Sequence, residues 1–152
     1  YTEKGKTVMK KINEVSRLAG VSKRTLQYYD DEGLLLIERA QNNHRVYDGD
    51  ALERIWQILI YKEMNFKLKE IRKLLELPND QKDIYFIKQI ETIKKQIIAL
   101  KVRMRFIALV RIDGIPLKPE EHSGKTYVAR IAEIREDIQK FIMEEETDEE
   151  NE

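Results

Sequence analysis

Cysteine is absent from this 152-residue chain, which excludes disulfides, thiolate metal sites, cysteine nucleophiles and thiol redox sensing. Proline and glycine are scarce, at three and six residues, while charged residues make up 37%. That balance predicts a mainly helical protein with long polar helix faces. No apolar run approaches the roughly 20 residues that span a bilayer, and no signal-peptide pattern is visible, so no membrane partner and a cytoplasmic location are expected. Net charge is also lacking, but the zero hides an asymmetry. Residues 1–76 carry 15 Lys+Arg against 12 Asp+Glu, and residues 77–152 carry 13 against 16. The last nine residues alone hold seven of those acids, a composition read as a solvated, disordered tail. The length suits one modest domain, or a small domain with an appendage, and is too short for a large enzyme.

What is present centres on Gly20-Val21-Ser22-Lys23-Arg24-Thr25-Leu26-Gln27-Tyr28-Tyr29-Asp30. A short helical pattern with Val15, Leu18 and Ala19 precedes Gly20, whose freedom at positive φ can close a helix. Ser22 is a good N-cap for the next helix. In that second helix Leu26 and Tyr29 share an inward face with Val21, and Arg24, Gln27, Tyr28 and Asp31 share the outward one. A basic, amide-bearing and aromatic outer face can bond phosphates and base edges, as a helix in a DNA major groove must. The plainer reading of the same stretch is an amphipathic helix hairpin.

Residues 1–8 have no periodic pattern, and 1–9 are read as a disordered leader or tag ending at a start methionine, Met9. The first helix is expected to begin near Asn13 as its cap. After Gly33, the apolar run Leu34-Leu35-Leu36-Ile37 and the later Arg45-Val46-Tyr47 read as a small β-hairpin, or wing. Arg39, His44 and Arg45 lie near its tip, placed to reach backbone phosphate, with a plain surface histidine the alternative for His44. Asp48 caps a helix with Leu52, Ile55, Trp56, Leu59 and Ile60 at helical spacing, and Trp56 is expected in the core. A further short helix bears Leu68, Ile71, Leu74 and Leu75. Lys67 stands at its start, where the helix dipole disfavours a cation, and with Lys69 it suggests a second phosphate clamp.

Pro78-Asn79-Asp80 is a break, and the longest periodic segment follows. Ile90, Ile97 and Met104 occupy one heptad seam position, and Ile93, Leu100 and Ile107 the other. Three heptads with every a and d position apolar signal a dimerising coiled coil; the alternative is an intramolecular hairpin with residues 127–143. The run Asp113 to Pro119 ends that helix. Beyond it, Ile131, Ile134, Ile138, Phe141 and Ile142 mark a last amphipathic helix over about 127–145.

Catalytic and metal chemistry find no support. Ser123-Gly124-Lys125-Thr126 resembles the end of a phosphate-binding loop, but Pro119 stands where its leading glycine should, and no buried strand precedes it. His44 and His122 are isolated from any metal-ligand or triad spacing. No enzyme, metal site or cofactor is expected.

The order helix-turn-helix, wing, helix pair and long heptad helix resembles the MerR family of bacterial transcription regulators, over roughly residues 11–107. The resemblance is carried by Gly20-Val21-Ser22, Thr25-Leu26, Tyr28-Tyr29-Asp30 and Gly33-Leu34, then Arg39, Arg45, Tyr47, Leu52 and Ile55. It implies a winged-helix homodimer, joined by an antiparallel coiled coil, on an inverted repeat in double-stranded promoter DNA. Such regulators distort an over-long promoter spacer once an effector binds, so that RNA polymerase can engage it; polymerase is thus an indirect partner. By position the resemblance implies DNA contacts at Arg24, Tyr28 and Tyr29 on the recognition helix, Arg39, Arg45 and Tyr47 on the wing, and Lys67; Ser22, Lys23, Gln27 and His44 join them as candidate DNA contacts from their places on the same helix and wing. The spacing keeps the Tyr29 ring largely buried, offering at most its hydroxyl. The chain differs from the family pattern at Gln27, where arginine is usual, at Asn43-His44, where glycine-tyrosine is common, and at Ile37, where proline is usual.

The expected layout is a winged helix-turn-helix domain over 10–77, a dimerisation helix over 80–112, a short effector or capping segment over 113–146 and an acidic tail over 147–152. Without cysteines, a small organic effector ranks first and no effector second. The rival functions are an ungated architectural or interaction regulator and a pure coiled-coil adaptor.

Overall fold

The computed structural model describes residues 9–152, so the expected leader lies, Met9 apart, outside the described residues. The chain divides into two compact units, residues 1–85 and 86–152. Element order in the first is β1 (Lys10–Lys11), α1 (Ile12–Ala19), α2 (Lys23–Asp31), β2 (Glu38–Arg39), β3 (Arg45–Tyr47), α3 (Gly49–Glu63) and α4 (Leu68–Glu76). Helix α5 (Asn79–Asp113) begins there and continues into the second unit, which ends with α6 (Tyr127–Glu150).

The turn between α1 and α2 follows from its residues. Gly20 adopts φ 71° and donates its N–H to the Ser16 carbonyl at 3.0 Å. Ser16 Oγ donates in turn to the Val21 carbonyl at 2.6 Å. Ser22 caps α2, its Oγ accepting from the Thr25 N–H at 3.1 Å. Helix α1, however, starts at Ile12 with Lys11 at the cap position and no side-chain cap bond, so Asn13 does not cap it.

The wing differs in its strands. Leu34–Ile37 is irregular backbone with Leu34 and Leu35 buried, and the hairpin is instead β2 with β3, joined by β1 in the order β1-β3-β2. Glu38 pairs with Val46 and Lys10 with Tyr47. Leu34 and Leu35 enter the core while Leu36 is exposed, and the run makes no ladder.

Helices α2 and α3 end in the same way. Past α2, the Gly33 N–H donates to the Asp30 carbonyl and the Leu34 N–H to the Tyr29 carbonyl. Past α3, Asn65 at φ 63° donates to the Lys62 carbonyl and Phe66 to that of Tyr61. Both are Schellman caps, and in the second the Tyr61 and Phe66 rings make the accompanying apolar contact, edge to face at 6.2 Å. Asp48 caps α3 as its sequence suggests, accepting from the Ala51 N–H at 2.8 Å.

The core of the first unit joins Val15, Leu26, Tyr29, Leu34 and Tyr47 to a face of α3 made of Ala51, Ile55, Ile58 and Tyr61. That face corrects the expected one, since Trp56 is 61% exposed and Ile60 also points outward. The apolar arc of α3 is wide, spanning Ala51, Leu52, Ile55, Trp56, Ile58, Leu59 and Ile60, so more than one stripe satisfies helical spacing, and packing selects the one opposite α1, α4 and β3. The buried Lys82, early in α5, donates Nζ to the Tyr61 hydroxyl at 3.1 Å and lies over its ring.

In the second unit α5 carries two apolar stripes. Ile98, Val102, Phe106 and Leu109 pack against Ile134, Ile138 and Ile142 of α6, so α5 and α6 form an intramolecular hairpin. The six seam residues Ile90, Ile93, Ile97, Leu100, Met104 and Ile107 nevertheless stay exposed. In the heptad frame the α6-facing positions are b, c and f, on the back of the a/d seam. Phe141 and Ile131, expected in the packed stripe, are exposed, and Phe141 carries the Arg105 guanidinium over its ring at 5.2 Å. Thr126 caps α6, accepting from the Ala129 N–H. The acidic end corrects the disordered-tail expectation: α6 stays helical to Glu150, with Lys101 of α5 paired to Glu146.

Asn65 tests the cap that ends α3. Asn65→Gly removes the left-handed strain and is expected to raise stability by up to about 1 kcal/mol, while Asn65→Val should lower it by roughly 1–2 kcal/mol. Melts followed by circular dichroism should rank the three proteins Gly, Asn, Val, and a Val variant that melts with the parent would sink the assignment.

Candidate nucleic-acid interface

Helix α2 presents its outer face because its inner one is fully committed. Leu26 and Tyr29 are buried, whereas Lys23, Arg24, Gln27 and Tyr28 are exposed, Tyr28 to 47%. The first turn of α2 therefore offers two cations beside an amide and a phenol. Among the described residues no carboxylate forms an ion pair with Lys23 or Arg24. Ser22 is exposed, but its hydroxyl is engaged by the Thr25 N–H and by Thr25 Oγ1 at 2.9 Å.

Tyr29 is only 2% exposed, as its inward spacing anticipates. Its ring lies 6.4 Å from that of Tyr28, and Lys62 Nζ stands 5.8 Å from its centroid. Lys62 was not legible as a site residue. Nothing around it in α3 distinguishes it from other surface lysines, and only the packing of α3 behind α2 brings it beside the recognition helix.

On the wing the expected residues separate. Arg39 is exposed and donates Nη1 to the Asn43 carbonyl at 3.1 Å, closing the tip. His44 is exposed, and its N–H donates to Asn42 Oδ1 at 3.2 Å. Arg45 is not a free cation: Nε donates to Asp30 Oδ2 at 2.7 Å, and Nη2 reaches Asp31 Oδ1 at 3.5 Å. The Asp30 carboxylate holds the guanidinium protonated even more firmly than usual. Arg45 thus braces the wing to the last turn of α2. Tyr47 is a correction, because it is wholly buried and its hydroxyl has no hydrogen-bond partner among the described residues. Burial raises its pKa, partly offset by Arg45. β3 alternates sides, and Tyr47 falls on the side facing the core.

Lys67 is exposed at the N-terminus of α4, where its own carbonyl accepts from the N–H groups of Glu70 and Ile71. Its side chain makes no cap bond, and Lys69 is exposed on the same turn. The exposed cations Lys23, Arg24, Arg39, Lys62, Lys67 and Lys69 thus all belong to the first unit.

Two further arginines brace the same region as Arg45. Arg54 Nε donates to the Leu34 carbonyl, and its Nη2 to Glu76 at 2.5 Å. Arg72 donates to the Glu32 carbonyl at 2.5 Å and to its carboxylate at 3.3 Å. Both hold the loop after α2 against α3 and α4. A charge-assisted bond to a carbonyl contributes about 1.5–3 kcal/mol when well shielded, and less at these partly exposed positions.

The sequence and the fold both have known counterparts. A family model for MerR helix-turn-helix regulatory proteins matches residues 10–77. The chain is 39% identical over 116 residues to the transcriptional activator TipA of Streptomyces coelicolor, covering 72% of this chain and 45% of that one. It is 31% identical over 138 residues to the transcriptional activator Mta of Bacillus subtilis, covering 81% and 54%. It spans about half the length of these curated relatives. The crystal structure of the N-terminal part of the Bacillus subtilis multidrug transporter activator superposes with a TM-score of 0.64 at 30% identity, over 68% of this chain and 99% of that one. Turn, wing, exposed α2 face and these likenesses agree: the chain belongs to the MerR family of helix-turn-helix regulatory proteins.

Proposed function

We propose that the chain acts in the cytoplasm as a homodimer on an inverted repeat in promoter DNA. It activates by distorting an over-long promoter spacer in response to a small organic effector. The observation that carries DNA binding is the split of α2 into a buried side, Leu26 and Tyr29, and an exposed side, Lys23, Arg24, Gln27 and Tyr28. Arg24 and Gln27 suit base edges or phosphates, Tyr28 suits a sugar or phosphate, and Arg39, His44, Lys62 and Lys67 suit the flanking backbone. Gln27, a neutral amide in the middle of that face, favours adenine over guanine as a base partner.

Dimerisation is supported by the free seam. Six large apolar side chains at a and d positions face solvent in the single chain while α6 occupies the back of the same helix. A second copy is the partner whose seam matches. Both curated relatives named above are transcriptional activators, which favours activation. Binding energy of the dimer would offset the cost of deforming the duplex in one of its conformers, with RNA polymerase the beneficiary. The absence of cysteine favours an organic effector over a thiolate-bound metal. The second reading, an ungated regulator, predicts a promoter footprint that ligand leaves unchanged.

Fluorescence anisotropy on an inverted-repeat promoter fragment across a salt series tests the surface. Arg24→Ala and Lys67→Ala should each weaken binding and reduce the salt slope by about 1, whereas the buried Tyr47→Phe should leave affinity unchanged. Negligible binding of the parent protein at low salt would instead favour a coiled-coil adaptor. Sedimentation tests the seam: Ile97→Asp with Leu100→Asp should give monomers, and a surviving dimer would remove the seam from the interface.

A further inference from the structure

The groove along one side of the α5–α6 hairpin has a chemistry unlike the rest of its unit. It encloses about 620 Å³ and is floored by Val102, Phe106, Val110 and Ile131. Its polar groups are Gln139 and three arginines, Arg103 and Arg111 of α5 and Arg135 of α6, and among the described residues no carboxylate lines it. Three other grooves of the unit do carry acids: Glu136 and Asp148 in one, Asp113 and Asp137 in another, Glu146 and Glu149 in a third.

This lack of acids is unexpected where it occurs. Residues 77–152 hold 16 Asp+Glu against 13 Lys+Arg, and some of their cations find partners, Lys101 with Glu146 and both Lys125 and Arg130 with Glu133, while among the described residues others such as Lys95 and Lys140 do not. Among the described residues, none of Arg103, Arg111 and Arg135 forms an ion pair, and all three are exposed. The spacing of Arg103 and Arg111, eight residues apart, places them on one face of α5, and Arg135 comes from the facing helix. Three guanidiniums over an apolar floor are a receptor for a molecule with an anionic head and a hydrophobic body. Guanidinium forks bind carboxylate and sulfonate oxygens in pairs, and the volume suits a drug-sized ligand.

We infer that this groove binds an amphipathic organic anion, an aromatic or aliphatic carboxylate or sulfonate. As an effector site the inference rests on the proposed gated regulator. The link is Ile107, which lines the groove and also occupies a d position of the exposed seam. A ligand seated there touches a side chain of the surface through which the dimer is proposed to form, so occupancy biases the geometry of that surface.

The test uses a matched pair of fluorescent probes on the full chain: 1-anilinonaphthalene-8-sulfonate, and its uncharged counterpart N-phenyl-1-naphthylamine. The sulfonate should bind at one site per chain, at least about tenfold more tightly than the neutral amine. Arg103→Gln with Arg135→Gln should erase that preference, while Lys95→Gln, an exposed cation outside the groove, should preserve it. Equal affinity for the two probes, or a preference that survives the double arginine variant, overturns the inference. Promoter binding of the same preparations is measured without probe. Sulfonate binding with no promoter binding would leave the groove and remove the regulator, and promoter binding with no sulfonate preference would do the reverse.

Discussion

The rotation of α2 about its own axis is the constraint on which the rest of the first unit depends. Leu26 and Tyr29 are buried and three residues apart, so they define one side of the helix and leave Arg24, Gln27 and Tyr28 no direction but outward. Each end of the helix is tied as well. Ser22 caps the start, and a Schellman cap through Gly33 and Leu34 closes the finish. Arg54 and Arg72 bond the Leu34 and Glu32 carbonyls just beyond it. A reading surface needs this stiffness, because side chains that must meet base edges cannot be aimed by a helix free to roll.

Electrostatics in the wing serve the same end by a different means. Arg45 has the look of a phosphate contact in sequence, yet its guanidinium is held by Asp30 and Asp31 of α2. The pair is partly shielded, so its energy is modest, but its geometry matters more than its energy. It joins β3 to α2, so wing and helix are held in one fixed arrangement. Cations left without such partners, among them Lys23, Arg24 and Lys67, remain for solvent or phosphate.

Helix α5 resolves two readings that had looked exclusive. An apolar heptad seam and an intramolecular hairpin compete only if they need the same side of the helix. The hairpin uses Ile98, Val102, Phe106 and Leu109, on the opposite side from the a and d positions. One helix therefore meets α6 with its back and leaves its front exposed. The groove with three arginines opens beside that back stripe and shares Phe106 and Val102 with it, which is how a ligand there would come to sense both.

Local chemistry was readable from the residues alone. Gly20 at positive φ, Ser22 and Asp48 as caps, the outward face of α2 and the seam of α5 all follow from a few neighbouring side chains, so the fold class and the core of the candidate surface were legible. The rest was decided by what arrives from elsewhere in the chain. β1 forms only because β3 offers it an edge, and α3 turns Trp56 outward only because α1, α4 and β3 choose another of its apolar sides. Tyr47 goes inward with the pleat of β3, Arg45 is neutralised by an acid fifteen residues away, and Lys62 gains meaning only over Tyr29. Caps, turns and heptads are short-range properties carried by the sequence itself, whereas the side of a helix that is covered and the charge that is left unpaired are set by long-range packing, which no stretch of a few residues contains.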